Sequence, residues 1–186
     1  MLPDGDCLTA QVVCCTSLYD IAYHILAEVH KDLVQCHEPS PCSPGWITYV
    51  TMGDGDDAVM DALSVSVVNV RPSPNSQTGG KLSPASAFLA DFRVRILEAG
   101  WPMVREENGE LFQPDPVEQN ALARHAFGHG ERMYRTLISK IANGQIVPNG
   151  MNCMSPVLGP LTPIKPAGGT VGWRADVTLT LTWGGG

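Results

Sequence analysis

Residues 71–101, RPSPNSQTGGKLSPASAFLADFRVRILEAGW, decide how this chain is assembled. The first part is a Pro/Gly/Ser-rich connection, and residues 72–82 make a long link of the kind that is usually functional or mobile. Ser83 then offers an N-cap oxygen, and Pro84 suits a first helical turn because its missing N–H costs nothing there. Phe88, Leu89, Phe92, Ile96 and Leu97 recur at helical steps, and Gly100 supplies a stop. The stretch predicts a helix opened at Ser83-Pro84.

Upstream, residues 62–70 alternate, with Leu63, Val65 and Val67 on one side and Ser64 and Ser66 on the other, as in a half-buried strand. Residues 46–51, WITYVT, are aromatic and β-branched and read as another strand. The acidic segment at residues 53–57, GDGDD, reads as the turn between them, so an antiparallel hairpin is expected. Before these, residues 9–35 carry a helical stripe of Leu18, Ile21, Ala22, Ile25, Val29 and Leu33, with Asp20, His24, Glu28 and Lys31 mostly opposite. Pro39 places its end near Gln35.

Downstream, residues 103–114 are polar and acidic. Asp115-Pro116-Val117-Glu118 combines a cap, a first-turn proline and a reciprocal Glu, opening a helix that runs to Ala142 and stops at Asn143-Gly144. Gly128 and Gly130 each cost about 1 kcal/mol against Ala inside a helix, so a kink or break is expected there. Residues 147–169 are Pro/Gly-rich and extended, with short strand candidates at Val157-Leu158 and Leu161. Residues 171–183 alternate throughout, with Ala175, Val177, Leu179, Leu181 and Trp183 against Asp176, Thr178, Thr180 and Thr182. Together these elements predict one α+β domain over residues 1–186, with helices packed on a mainly antiparallel sheet of about four strands.

Composition narrows the function. The 44% apolar content is ordinary for a globular chain, but charged residues at 17% fall below the usual quarter, as on a subunit whose surface neighbours cover. A net charge of −7 argues against a general nucleic-acid binder, which needs a basic stripe to displace counterions. It is compatible with a surface past which DNA slides without sticking. No stretch is apolar enough to span a membrane, and the opening MLPDGDC lacks the basic region of a signal peptide. Cys7, Cys14, Cys15, Cys36, Cys42 and Cys153 read as reduced structural thiols, because Cys14-Cys15 fall inside an apolar helical pattern. Synthesis in a cytoplasm is therefore expected.

No segment carries a recognisable catalytic or metal signature. Cys36-His37 with Cys42 and Cys7 miss the paired short spacings of structural zinc. His125 and His129 have the i, i+4 spacing of zinc proteases, with Glu131 nearby, but Ala126 stands where the general-base Glu belongs. They read as a polar helix face at a bend. The acidic Asp54, Asp56 and Asp57 lack the rest of a calcium loop. Gly168-Gly169 with Gly172 precedes a strand, the wrong order for cradling phosphate. No nucleophile and base are organised together, so no enzyme activity, catalytic residue, metal or cofactor is expected.

The order and character of these segments resemble the tail terminator proteins of long-tailed bacteriophages. The matching pieces are residues 11–35, 46–70, Pro72-Ser73-Pro74, 83–97 and 168–183, while residues 103–144 exceed what that family's smaller members carry. The resemblance implies a hexameric ring that caps the tail tube and joins it to the neck of the virion. Its implied partners are copies of itself, the tail tube protein, a head–tail connector or stopper protein, and genomic DNA passing through the lumen, with no membrane. Candidate partner- or lumen-facing residues are Asp54, Asp56, Asp57, Arg71, Asn75, Gln77, Lys81, Glu106 and Glu107. Another neck protein, such as a connector or stopper, is the nearest alternative. A small-molecule-binding domain or enzyme is a further one, to be recognised by a concave pocket with convergent polar groups.

Overall fold

The computed structural model describes residues 17–36, 46–53, 61–73, 87–99, 115–149, 153–167 and 170–182. They form two helices and one six-stranded sheet. The order along the chain is α1 (Leu18–Cys36), β1 (Ile47–Met52), β2 (Ala62–Pro72), β3 (Ala87–Ala99), α2 (Pro116–Ala142), β4 (Cys153–Leu158), β5 (Thr162–Ala167) and β6 (Thr170–Thr182). Across the sheet the strands run β1-β2-β3-β6-β4, and β5 pairs with the other end of the same β6 edge.

The stretch expected to be a helix is β3, the central strand. Its residues carry two periods at once. Phe88, Phe92 and Ile96 fit a helical stripe, but Phe88, Ala90, Phe92, Val94 and Ile96 also alternate strictly, and all five are buried. Long antiparallel ladders to β2 on one side and β6 on the other engage the backbone of β3, which decides the matter. On the opposite face stand Leu89, Asp91, Arg93 and Arg95, aligned across the ladder with Thr180, Thr178, Asp176 and Arg174.

The hairpin expectation is also corrected. β1 and β2 are parallel, with Ile47 beside Ala62 and Met52 beside Val67, and a tight turn cannot join parallel strands. Residues 54–60, which contain most of the acidic segment, lie outside the described residues. The expected α+β arrangement of about four mainly antiparallel strands thus gives way to a mixed α/β sheet of six strands.

The strand at residues 62–70 forms as β2, but Ser64 and Ser66, expected on a wetter face, are buried at 1% and 0%, because both faces of β2 are covered there. Several other expectations hold. β6 alternates as read, with Ala175, Val177, Leu179 and Leu181 buried. α1 buries Ile21, Ala22, Ile25, Val29 and Leu33, and starts behind a reciprocal cap in which Asp20 N donates to Ser17 Oγ (3.2 Å) and Ser17 N to Asp20 Oδ2 (2.7 Å). Residues 9–16 of the expected helix lie outside the described residues. α2 opens at Asp115, whose carboxylate accepts from Val117 N at 3.1 Å, and closes at Asn143-Gly144, where Gly144 takes φ 67°. It runs as one 27-residue helix, without the break expected at its glycines.

Both helices contribute to one apolar cluster with the same face of the sheet. α1 packs on β1 and β2, α2 on β6, β3 and β4, and the helices pack on each other. Their seam carries polar contacts: Lys140 pairs with Glu28, Thr136 Oγ1 donates to Asp32 Oδ2 (2.8 Å), and His24 Nε2 lies 3.1 Å from the Gln145 carbonyl. Among the described residues the result is two layers, with both helices on one side of the sheet.

Candidate functional site

Of the residues expected to face partners or a lumen, only Arg71 lies among the described ones; Asp54, Asp56, Asp57, Asn75, Gln77, Lys81, Glu106 and Glu107 do not. Arg71 stands on the face of the sheet opposite α1 and α2, where its Nη1 donates to Asp91 Oδ2 at 2.6 Å. Asp91 Oδ1 also accepts from Thr178 Oγ1 at 2.7 Å. Beside it Arg93 grips Asp176 with two bonds, Nε to Oδ1 at 2.7 Å and Nη2 to Oδ2 at 3.2 Å. These side chains line a shallow depression of about 290 Å³ with Val68 and Phe92. Each arginine there faces an aspartate, so the depression does not present the uncompensated charge that would attract a phosphate.

A second cluster lies on the other face, between β3 and α2. The alternation that buries Phe88 through Ile96 carries Glu98 to the helix side at the end of β3. One helical turn of α2 sets His125 and His129 on one face above it. His129 Nδ1 lies 2.9 Å from Glu98 Oε1, with His129 1% and Glu98 7% exposed. The rings of His125 and His129 meet edge to face with centroids 4.3 Å apart. Trp46, just before β1, packs edge-on against His129 at 5.2 Å, and its buried Nε1 has no hydrogen-bond partner among the described residues. One donor atom from each of Glu98, His125 and His129 lies within 4.8 Å of the other two.

This cluster differs from the sequence reading in its third member. Glu131, the nearest acid in the chain, forms an exposed i, i+4 pair with Arg135 at 2.5 Å. Glu98 takes that place from 31 residues away from His129. A helical reading of β3 hid it; continuing the strand alternation from Phe88 would have placed it on the buried face. The other sequence candidates do not assemble among the described residues. Cys7, His37 and Cys42 lie outside them, as do Gly168 and Gly169. Gly172 lets β6 approach β3, because a Cβ there would sit 2.1 Å from the Ile96 carbonyl oxygen. Cys153 in β4 is a free thiol whose pKa is pushed up by burial.

The flanks of the sheet differ from each other. On one side β1, ITYVTM, is an edge among the described residues, with Ile47 and Met52 exposed and neither proline nor charge in the strand. On the other side β4 exposes Met154 and Val157, carries Pro156, and is irregular between Met154 and Val157. No helix among the described residues is long and apolar enough to cross a membrane. No protein-family model matches the chain, and no curated protein matches it.

Proposed function

We propose that this chain is a structural subunit that assembles head to tail into a closed ring, and that the ring caps a phage tail tube at its junction with the neck. The observation that carries the ring is the pair of unlike apolar flanks at opposite ends of one sheet: Ile47 and Met52 on β1, Met154 and Val157 on β4. An unblunted edge strand is a template for pairing with another chain. Two different patches on one subunit make a heterologous contact, which closes into a ring when the rotation allows. The low charged fraction of 17% suits a surface that copies of itself cover.

The more particular reading, a tail terminator in the virion with a tail tube protein, a connector or stopper and passing DNA as partners, rests on the resemblance in segment order. Of residues 83–97, one of the matching pieces and expected as a helix, residues 87–97 belong to β3 and residues 83–86 lie outside the described residues, so the other segments carry it. The six-fold count comes from the resemblance alone.

Mass photometry of the purified chain tests the ring: a discrete oligomer is expected, and Ile47→Lys with Met52→Lys should yield a folded monomer. A wild-type chain that stays monomeric at micromolar concentration sinks the ring reading. Immunogold labelling of virions then tests the location, and label away from the head–tail junction would overturn the terminator assignment while leaving the ring intact.

A further inference from the structure

We infer that Glu98, His125 and His129 bind a divalent transition-metal ion of the zinc class. Two imidazoles and a carboxylate are a donor set that such ions take, whereas Mg2+ and Ca2+ prefer oxygen ligands. Around a tetrahedral ion with bonds of about 2.0–2.1 Å, neighbouring donors stand roughly 3.3 Å apart. His129 Nδ1 and Glu98 Oε1 already approach to 2.9 Å, and one donor from each of the three residues falls within 4.8 Å of the others. Gathering them around one ion closes donor separations by up to about 1.5 Å, within reach of side-chain torsions.

The support beneath the ligands is rigid. Glu98 lies on the central strand and the histidines on a helix packed against the same core, so no ligand sits on a loop. Next to His129, Gly130 touches the Trp173 indole and fixes the height of α2 above β6. Burial separates this cluster from the exposed acidic groups that arise by chance: His129 and Glu98 are almost wholly covered, and His125 is the partly buried member on the side from which an ion would enter. Three protein ligands leave a fourth position for solvent. The ion would tie β3 to α2, adding a cross-link between the two layers.

The purified chain, stripped with chelator, is titrated with Zn2+ by calorimetry and followed by thermal melting. One ion per chain is expected, with a rise in Tm of roughly 5–10 °C at a hundredfold excess over Kd. Mg2+ should give no rise. His125→Ala, at a partly buried helix position, should keep the fold and lose Zn2+ affinity tenfold or more, and Glu98→Gln should do the same while preserving shape. Trp46, against His129, makes a change in tryptophan emission on loading a further expected sign. Absence of saturable Zn2+ binding at micromolar concentration overturns the site. So does binding that survives unchanged in His125→Ala, which would assign the ion to other residues such as the cysteines.

Discussion

Gly130 of α2 lies against the indole of Trp173 in β6, so closely that a Cβ built on it would stand 2.4 Å from Trp173 Cδ1 and 2.5 Å from Cγ. Its helix neighbour Gly128 has nothing within 4 Å of the same construction. Both glycines weaken the isolated helix equally, but only one is required by packing. Phe127 completes the contact, its ring 5.0 Å from that of Trp173.

Opposite effects should follow from one substitution at these two sites. Gly128→Ala gains helix propensity without a clash and should stabilise by up to about 1 kcal/mol. Gly130→Ala gains the same propensity but drives a methyl into the indole, and overpacking of this kind costs about 1–3 kcal/mol. Urea unfolding of the two variants measures the difference; equal stabilisation by both would mean that α2 does not sit on Trp173.

Leu179 stands fully buried on β6 beside Ala90 of β3. Leu179→Asp removes an apolar contribution of about 1.5–3 kcal/mol and adds the burial of an unpaired carboxylate. The variant should fail to give a cooperative thermal transition. A normal melt would remove β6 from the core.

The Lys140 ammonium bonded to Glu28 holds that carboxyl below its usual 4.5, while partial burial opposes the shift and Lys140, His24 and Lys31 add attraction. Because the folded value is the lower one, the contribution is fully present above 4.5 and is lost as the pH falls through the depressed value. Glu28→Gln should therefore lower Tm by a few degrees at neutral pH, on the order of 1 kcal/mol or less, and the gap should close on acidification. Melting curves across the acid range check it, and a gap that widens toward low pH would reverse the sign.

Arg71 and Asp91 form a partly exposed pair on the face of the sheet opposite α1 and α2. Such pairs contribute about 0–1 kcal/mol, so Arg71→Ala should leave the monomer's stability within that range. A loss of oligomer without a loss of Tm would identify this face as a contact between subunits. A fall of several kcal/mol in urea unfolding would instead show that the Arg71–Asp91–Thr178 network helps hold the sheet together.

The candidate metal cluster was half legible. His125 and His129 announce themselves by spacing, since four residues on a helix return to one face. Glu98 does not, because its relation to them depends on β3 passing beneath α2. A search for the acid within the helix finds Glu131, which the tertiary structure turns outward toward Arg135. The unlike flanks of the sheet were equally hidden, because the order β1-β2-β3-β6-β4 comes from pairing between distant segments.

Local chemistry alone determined the apolar stripe of α1, the span and caps of α2, and the alternation of β6, because each is written in neighbouring residues and only one period fits. Residues 88–97 fit two periods at once, and the ladders that β2 and β6 offer on either side made them a strand. The direction of β1 against β2 also came from tertiary structure, since an alternating segment pairs either way round and carries no mark of which. Hydrogen-bond partners supplied from elsewhere in the chain decide such cases, and a short window of sequence does not contain them.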